Sequence, residues 1–216
     1  MPGQNVGILG PYGNGLTGND ADRMSNDGGK VVTQLHGQYY EQCARNRVYT
    51  GVSASGGIAL LVPATAGGHP TLWNPSDSGR NLSIIKLSLS WVSGNNAPGA
   101  VEWASVANTG ASIATGAAIL TGTRVAPVGM VGGGLDNKGV WIPTTNTFTA
   151  APVFLRPAGI SLFTGIGTTA VAPFVLRADY DGDFVIAPGA AVCVCFQTTT
   201  TTALFQVEVV WEEVAA

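Results

Sequence analysis

Hydrophobic and polar residues alternate along much of this chain with the two-residue period of a β-strand. In the run NLSIIKLSLSWVSG, residues 81–94, one face carries Ile85, Leu87, Leu89 and Trp91. Leu82 and Ile84 lie in the opposite phase, so the run predicts a long strand with a β-bulge between Ile84 and Ile85. A strand whose first residues are buried on both faces would give the same pattern.

The segment AVCVCFQTTTTTALFQVEVVWEEV predicts two strands, at 191–197 and 203–213, joined by a threonine-rich connection. One face of the second strand is expected to be core and carries Phe205, Val207, Val209 and Trp211. The opposite face carries Gln206, Glu208, Val210 and Glu212. Because threonine favours extended backbone, the two strands are predicted to form a long closing hairpin.

Turn signals from 30 glycines and 12 prolines separate further short strands after Thr50. These strands are predicted at residues 100–107, 147–155, 171–178 and 183–187. The pattern predicts an all-β fold, a jelly-roll-like antiparallel β-sandwich that forms a single domain over residues 31–216. Residues 1–30, rich in Gly, Asn and Asp, are predicted to be an irregular N-terminal arm, and a short helix is predicted within residues 34–49.

Charged residues make up only 11% of the chain, where about 25% is usual for a soluble domain. Such a chain covers its surface with neutral polar groups or buries part of it against partners. The net charge of -3, without a cluster of Lys and Arg, argues against nucleic-acid binding. The start, MPGQNVGILG, lacks the features of a secretory signal, and the uncharged residues 157–176 contain too many Gly, Thr and Pro for a membrane helix, so no membrane contact is expected.

The chain has three cysteines, an odd number that does not indicate a disulfide framework. On a strand, Cys193 and Cys195 point to the same face about 6.5 to 7 Å apart, too far for a disulfide, and are expected to be reduced, small apolar residues. The other face of this strand carries Val192, Val194 and Phe196. Since Cys43, His36 and His69 lack paired ligand spacing, no metal and no cofactor is expected.

The acidic stretch DYDGDF carries Asp179, Asp181 and Asp183. An Asp-Gly turn that joins two strands into a hairpin accounts for it, and an oxygen-rich loop can also hold Ca²⁺ weakly. An EF-hand is excluded because Gly182 has the wrong offset and position 190 is Ala where a bidentate Glu belongs. The hairpin turn and the weak calcium site are both retained as interpretations.

Candidate catalytic groups are few, with two histidines and no G-x-S-x-G motif for a nucleophilic serine. The protein is therefore expected not to be an enzyme. A cupin-type metalloenzyme would share a jelly roll and Pro-Gly turns such as Pro188-Gly189. Cupins need clustered His and Glu ligands, so this is the least favoured alternative.

Val210 interrupts the polar face of the last predicted strand, between Glu208 and Glu212. A lone apolar side chain among carboxylates is poorly placed in water. Val210, with Glu208 and Glu212 beside it, is therefore predicted to contact another chain.

Three stretches together resemble small structural virion proteins of tailed bacteriophages, of the capsid decoration or cement type. They are LHGQYYEQCARNRVYTG at 35–51, TLWNPSDSGRNLSIIKLSLSWVSG at 71–94, and DGDFVIAPGAAVCVCF with the ending VVWEEV within 181–214. The resemblance implies a β-sandwich and a homo-oligomer, often a trimer, that assembles in the cytoplasm of the host bacterium and is carried on the virion. It implies no catalytic or ligand-binding residues.

The function expected from these features is that of a decoration protein that binds the major capsid protein or other virion proteins and stabilises the phage head. The alternative is a tail or head-fibre component with a host-binding surface. Low charge and an arm that orders on contact are consistent with either position in a virion, because buried interfaces replace the charged surface of a monomer.

Overall fold

The structure is a computed structural model that describes ten segments of the chain. They are residues 23–24, 30–31, 38–94, 99–107, 120–122, 127–129, 136–161, 175–180, 182–198 and 203–216. Of the N-terminal arm predicted at residues 1–30, only residues 23–24 and 30 belong to these segments. Most of the threonine-rich connection also lies outside them.

The described residues form one short helix and fifteen strands. The helix is α1 (Tyr40–Ala44). The strands are β1 (Arg23–Met24), β2 (Lys30–Val31), β3 (Val48–Val52), β4 (Ala66–Gly68), β5 (Thr71–Trp73), β6 (Arg80–Ser93), β7 (Gly99–Ala107), β8 (Leu120–Gly122), β9 (Val140–Ile142), β10 (Thr145–Phe148), β11 (Val153–Ser161), β12 (Val175–Asp179), β13 (Val185–Ile186), β14 (Ala190–Phe196) and β15 (Leu204–Ala215).

Two antiparallel sheets form the sandwich. The outer sheet has the order β12-β6-β15-β3, with β13 also paired to β6, and the central sheet has the order β11-β7-β14-β5-β9. The two orders can be compared with a jelly roll when β9 and β13 are left out and the other eight strands are renumbered 1 to 8 in chain order. The renumbered strands are β3, β5, β6, β7, β11, β12, β14 and β15. The outer sheet then has the order 6-3-8-1 and the central sheet the order 5-4-7-2. This is the strand order of a jelly roll, and it confirms the predicted fold class.

The strand β15 provides the centre of the main core. Its burial alternates strictly, and the buried face carries Phe205, Val207, Val209 and Trp211, all with no exposed surface. It pairs along its full length with β6, whose Leu87 and Leu89 are also completely buried. The core face predicted for this strand from alternation is therefore confirmed.

A β-bulge lies in β6 where the sequence predicted one. Trp211 pairs with Ile84 and Val210 pairs with Lys86, so Ile85 is the extra residue. The bulge brings Leu82 and Ile84 onto the same buried face as Leu87 and Leu89, while Ile85 is only half-buried. The bulge prediction is confirmed, and the prediction that Ile85 shares a face with Leu87 and Leu89 is wrong.

The strand β14 is buried on both faces. Val192, Val194 and Phe196 belong to the main core between the two sheets. Cys193 and Cys195 point the other way into a second core. The second core contains Trp73, Ala104, Val106, Ile142, Phe148, Ala191, Cys193 and Cys195. It includes Phe148 of β10, the middle strand of a three-stranded sheet β4-β10-β8, so the central sheet is covered on both sides.

The predicted closing hairpin is wrong. The strand β14 pairs with β7 and β5 in the central sheet, whereas β15 pairs with β6 and β3 in the outer sheet. The chain crosses from one sheet to the other between these two strands. Alternation gives each strand its buried face, but that pattern is the same for a hairpin and for a crossover.

Other boundaries differ from the sequence predictions in ways that follow from turns. The stretch predicted as one strand at 147–155 holds the end of β10 and the start of β11, with a break at residues 149–152. The helix predicted within residues 34–49 is confirmed only as the short α1. The end of that stretch already belongs to β3, where Tyr49 is buried against Trp211.

Gly51 in β3 allows the sandwich to close around Trp141. A Cβ atom at this position would lie 2.5 Å from Cδ2 of the Trp141 indole. The indole cannot move away from an added Cβ atom, because it is completely buried and its Nε1 donates a hydrogen bond of 3.1 Å to the carbonyl oxygen of Val52. The close approach of backbone to ring therefore requires glycine.

We predict that Gly51→Ala lowers the free energy of unfolding by about 1–3 kcal/mol, the usual cost of overpacking a core. Urea denaturation measures the change. Gly56→Ala is the matched control, because a Cβ atom there meets nothing within 4 Å, and it should leave stability nearly unchanged. Equal stability of the two variants would contradict the close contact.

Candidate interaction surfaces

The residues predicted as an interface lie on the solvent-facing side of the outer sheet. Val210, Glu208 and Glu212 alternate with the buried residues of β15, and each is half-buried. Val210 pairs with Lys86 of β6 and with Thr50 of β3. The structure therefore places the three residues on one face, in the middle of a sheet, and their role as an interface stays a prediction.

Charges on this face are paired within the sheet. Nζ of Lys86 lies 3.2 Å from a carboxylate oxygen of Glu208, and both side chains are about one-third exposed or less. On β12, the guanidinium of Arg177 lies 2.9 Å from Asp179. Ion pairs at the surface add little stability, but they leave a face with little net charge that another protein can cover at low electrostatic cost.

Glu212 lies at the end of this face near α1. Burial raises the pKa of its carboxyl group, and the nearby Arg47 partly opposes the shift. Burial and the charge of Glu212 also raise the pKa of the Cys43 thiol on α1. Cys43 is therefore not activated as a thiolate, in agreement with a purely structural residue.

A second surface lies along β11, the edge strand of the central sheet, and was not predicted from the sequence. Three consecutive apolar side chains are exposed: Val153 at 70%, Phe154 at 46% and Leu155 at 51%. Among the described strands, β11 pairs with β7 alone, and its register shifts at Leu155 and again near Pro157. We call Val153, Phe154 and Leu155 the β11 apolar edge.

The bulges and Pro157 make the β11 apolar edge a poor template for adding another strand. Its exposed side chains are instead available for side-chain packing. A contiguous exposed run of large apolar residues is a typical feature of protein interaction sites.

Arg156 fixes the next part of β11 against the outer sheet. Its guanidinium lies over the rings of Tyr180 and Phe184, at 5.2 Å and 5.5 Å from their centres, and 3.1 Å from Asp183. Tyr180 in turn accepts a hydrogen bond of 2.7 Å from Nε1 of Trp103. These contacts anchor β11, next to the β11 apolar edge, to the loop between β12 and β13.

The acidic stretch does not form the predicted hairpin. The strands β12 and β13 both pair with β6, one after the other, and not with each other. The intervening loop turns inward to bury Tyr180 and Phe184, and the Tyr180 amide donates to the carbonyl of Ile85 at the bulge. The hairpin interpretation is therefore wrong.

The weak calcium site finds no support among the described residues. Asp179 and Asp183 are largely exposed, and each is paired with a different arginine, Arg177 and Arg156. Asp181 lies outside the described residues. Within the described segments, no group of three or more His, Cys, Asp and Glu side chains could hold a metal ion.

Cys193 and Cys195 are reduced and almost completely buried, as expected for small apolar residues. Contact with Cys195 and burial raise the pKa of the Cys193 thiol. His69 is also completely buried, beside Phe148, and neither ring nitrogen has a hydrogen-bond partner among the residues that the structure describes. The chain holds the ring in place through its backbone, since the carbonyl of His69 accepts from Thr71 Oγ1 and from Asn146 Nδ2. His36 lies outside the described residues.

A solvent-accessible cavity of about 250 Å³ lies where the start of β3, the start of β6 and the end of β15 meet. It is lined by Arg45, Asn46, Arg47, Tyr49, Arg80, Asp136 and Glu213. Neither the charge count nor any motif in the sequence predicted that three arginines would meet here.

Glu213 is a buried carboxylate at the wall of this cavity, only 3% exposed. It accepts hydrogen bonds from the backbone amides of Lys138 at 2.9 Å and Gly139 at 2.8 Å, and from Nε1 of Trp211 at 3.4 Å. These donors compensate for the lost hydration of the charge. The alternation of β15 carried a signal for this role, because Glu213 continues the buried phase that ends in Val209 and Trp211.

No helix in the described part of the chain has the length and apolar character needed to cross a membrane.

Acid should destabilise the fold through His69. Burial lowers the pKa of this ring below 6.5, its ordinary value, so that below pH 6.5 the unfolded chain binds a proton that the folded chain resists. The free energy of unfolding should therefore fall between pH 7 and 5, by at most about 1.4 kcal/mol per pH unit, and His69→Leu should remove this part of the slope. Urea denaturation at several pH values measures it. Parallel slopes for wild type and His69→Leu would contradict the prediction.

Glu213→Gln should lower the free energy of unfolding by about 1–3 kcal/mol. When the Gln carbonyl takes the place of Oε1, which accepts from Gly139 and Trp211, its amide NH₂ takes the place of Oε2 and faces the backbone N–H of Lys138 as a second donor. Glu212→Gln is the adjacent control on the solvent-facing side and should change stability by less than about 0.5 kcal/mol. Thermal or urea unfolding of both variants compares them, and similar losses would show that Glu213 has no special structural role.

Comparison of the chain with protein-family models, with curated proteins and with solved structures finds no match. Inferences about its function therefore depend on its own residues and contacts.

Proposed function

We propose that this protein is a structural component of a virion, a decoration (cement) protein that binds the head of a tailed bacteriophage as a homo-oligomer, such as a trimer. In this proposal it assembles in the cytoplasm of the host bacterium, and its partners are copies of itself and the major capsid protein or other virion proteins. It has no enzymatic activity and contacts neither nucleic acid nor membrane.

The observation that carries the proposal is the β11 apolar edge. Val153, Phe154 and Leu155 follow one another along β11, and each exposes apolar surface whose burial against another chain is favourable. The Arg156 cluster anchors the adjoining part of β11 to the outer sheet. A surface that exists before contact costs little ordering entropy on association, which favours a permanent contact between protein chains.

The outer sheet supports the same proposal from another direction. Its solvent-facing side combines the Lys86–Glu208 ion pair with serines, threonine and the apolar Val210. Only 11% of the chain is charged. A surface with few unpaired charges is typical of a protein that stays bound to neighbouring chains.

The fold is compatible with this proposal without deciding it. Jelly rolls occur in viral capsid domains, in lectins and in cupins. Function has to be argued from the surfaces, because one fold hosts many activities. For a cupin, a histidine would have to face a cavity together with other ligands, and His69 is instead sealed in the second core beside Phe148.

The proposal predicts that the purified protein is a stable oligomer at micromolar concentration, measured by light scattering after size-exclusion chromatography. Leu155→Asp should reduce the solution mass, because it places a charge in the apolar contact. Ser55→Asp is the matched control, because it adds the same charge in an exposed turn outside both surfaces, and it should keep the wild-type mass. A wild-type monomer would contradict the oligomer.

The same samples decide between virion positions. The wild-type protein should sediment with purified heads of the phage that encodes it, and heads that lack it should lose resistance to heat. Binding to host cells in place of heads would favour the tail or head-fibre alternative. Stoichiometric iron, manganese or zinc in the purified protein would favour the cupin alternative.

A further inference from the structure

We propose that the cavity at the end of the outer sheet is a binding site for a carboxylate. Its cationic side chains are Arg45, Arg47 and Arg80, which come from the segment after α1 and from the start of β6. This proposal is independent of the function proposed above, since it concerns a different surface from the β11 apolar edge.

The backbone fixes Arg47 and Arg80 on either side of the cavity. The carbonyl of Arg47 accepts a hydrogen bond of 2.8 Å from the amide of Glu213. Arg80 pairs with Ala215, and its carbonyl accepts from Nδ2 of Asn74 at 2.7 Å. Both arginines are therefore anchored to the sandwich through main-chain bonds, and their guanidinium groups are not needed for that anchoring.

The N–H donors of the Arg47 and Arg80 guanidinium groups are available to a ligand. Within the described residues, neither group makes a hydrogen bond or an ion pair with a side chain or with the backbone. Arg45 is only loosely paired, with Glu41 at 3.8 Å. Each guanidinium presents five N–H donors in a planar fork that matches two oxygens of one carboxylate.

The two acidic residues of the cavity do not accept hydrogen bonds from these guanidinium groups. Glu213 directs its oxygens to the amides of Lys138 and Gly139 and to Trp211. Asp136 pairs with Nζ of Lys138 at 3.1 Å on the exposed side. Both carboxylates therefore already accept from donors other than the three arginines.

The charge of the cavity selects the class of ligand. Glu41 and Glu212 lie beside Arg45 and Arg47, so that together with Asp136 and Glu213 four carboxylates balance three guanidinium groups and Lys138. A single carboxylate accepts bidentate bonds from an arginine and adds one negative charge, whereas a phosphate dianion adds two beside Glu213. The carboxylate can belong to a small molecule or to an Asp or Glu side chain of a neighbouring protein.

Nuclear magnetic resonance of the full chain tests the site. Titration with sodium acetate, against sodium chloride at the same ionic strength, should shift the side-chain Nε–H signals of Arg47 and Arg80 saturably. The combined Arg47→Gln and Arg80→Gln variant should bind acetate at least about tenfold more weakly, since each charge-assisted bond contributes 1.5–3 kcal/mol. Arg177→Gln, an exposed arginine paired with Asp179, is the matched control and should bind as wild type does.

Several outcomes would overturn the proposal. They are a linear, unsaturable shift with acetate, equal binding by the double variant, and tighter binding of phosphate than of acetate at pH 7. If the double variant does not fold, Arg80→Lys keeps the charge, loses the planar fork and should bind several-fold more weakly. Titration with a short peptide bearing one Glu side chain separates the sources, because competition with acetate indicates a neighbouring chain and failure to compete indicates a small molecule.

Discussion

The packing of β14 between two apolar layers is the constraint on which the rest of the structure depends. A strand in this position has no side that faces water, so every residue from Ala191 to Phe196 must be apolar and must fit a fixed space. Val192, Val194 and Phe196 fill the main core, and the smaller Cys193 and Cys195 fit beneath the three-stranded sheet. The small size and low polarity of the two cysteine side chains account for their place in this strand.

Burial of the central sheet on both faces also explains part of the low charge of the chain. Strands of an ordinary sandwich place charged residues on their outer side, but here one of the two outer sides is itself core. Among the described residues, charged groups lie on the solvent-facing side of the outer sheet, as in the Lys86–Glu208 pair, and at strand ends and edges, where Arg156 packs on aromatic rings and Arg47 and Arg80 face a cavity. These are consequently the places where this molecule can recognise others.

The alternation of hydrophobic and polar residues was sufficient to locate the strands that alternate. It was not sufficient to predict which strands pair with each other. The core face of β15 and the bulge at Ile85 follow from residue spacing alone. Pairing was missed because a crossover between sheets and a hairpin leave the same two-residue period in the sequence. The arginine cavity was missed because it is assembled from segments that are distant along the chain. The β11 apolar edge is one local run, and it was missed because a run of apolar residues does not tell an edge strand from a buried one.

The position of β15 has a consequence for how the chain reaches this fold. It lies between β6 and β3, although it follows both of them in the sequence by more than a hundred residues. Until β15 is inserted, each of its neighbours has an open edge and exposes apolar residues such as Leu87 and Tyr49. Closing such long loops slows folding in general, so we expect strand exchange between newly made copies to compete with insertion of their own β15.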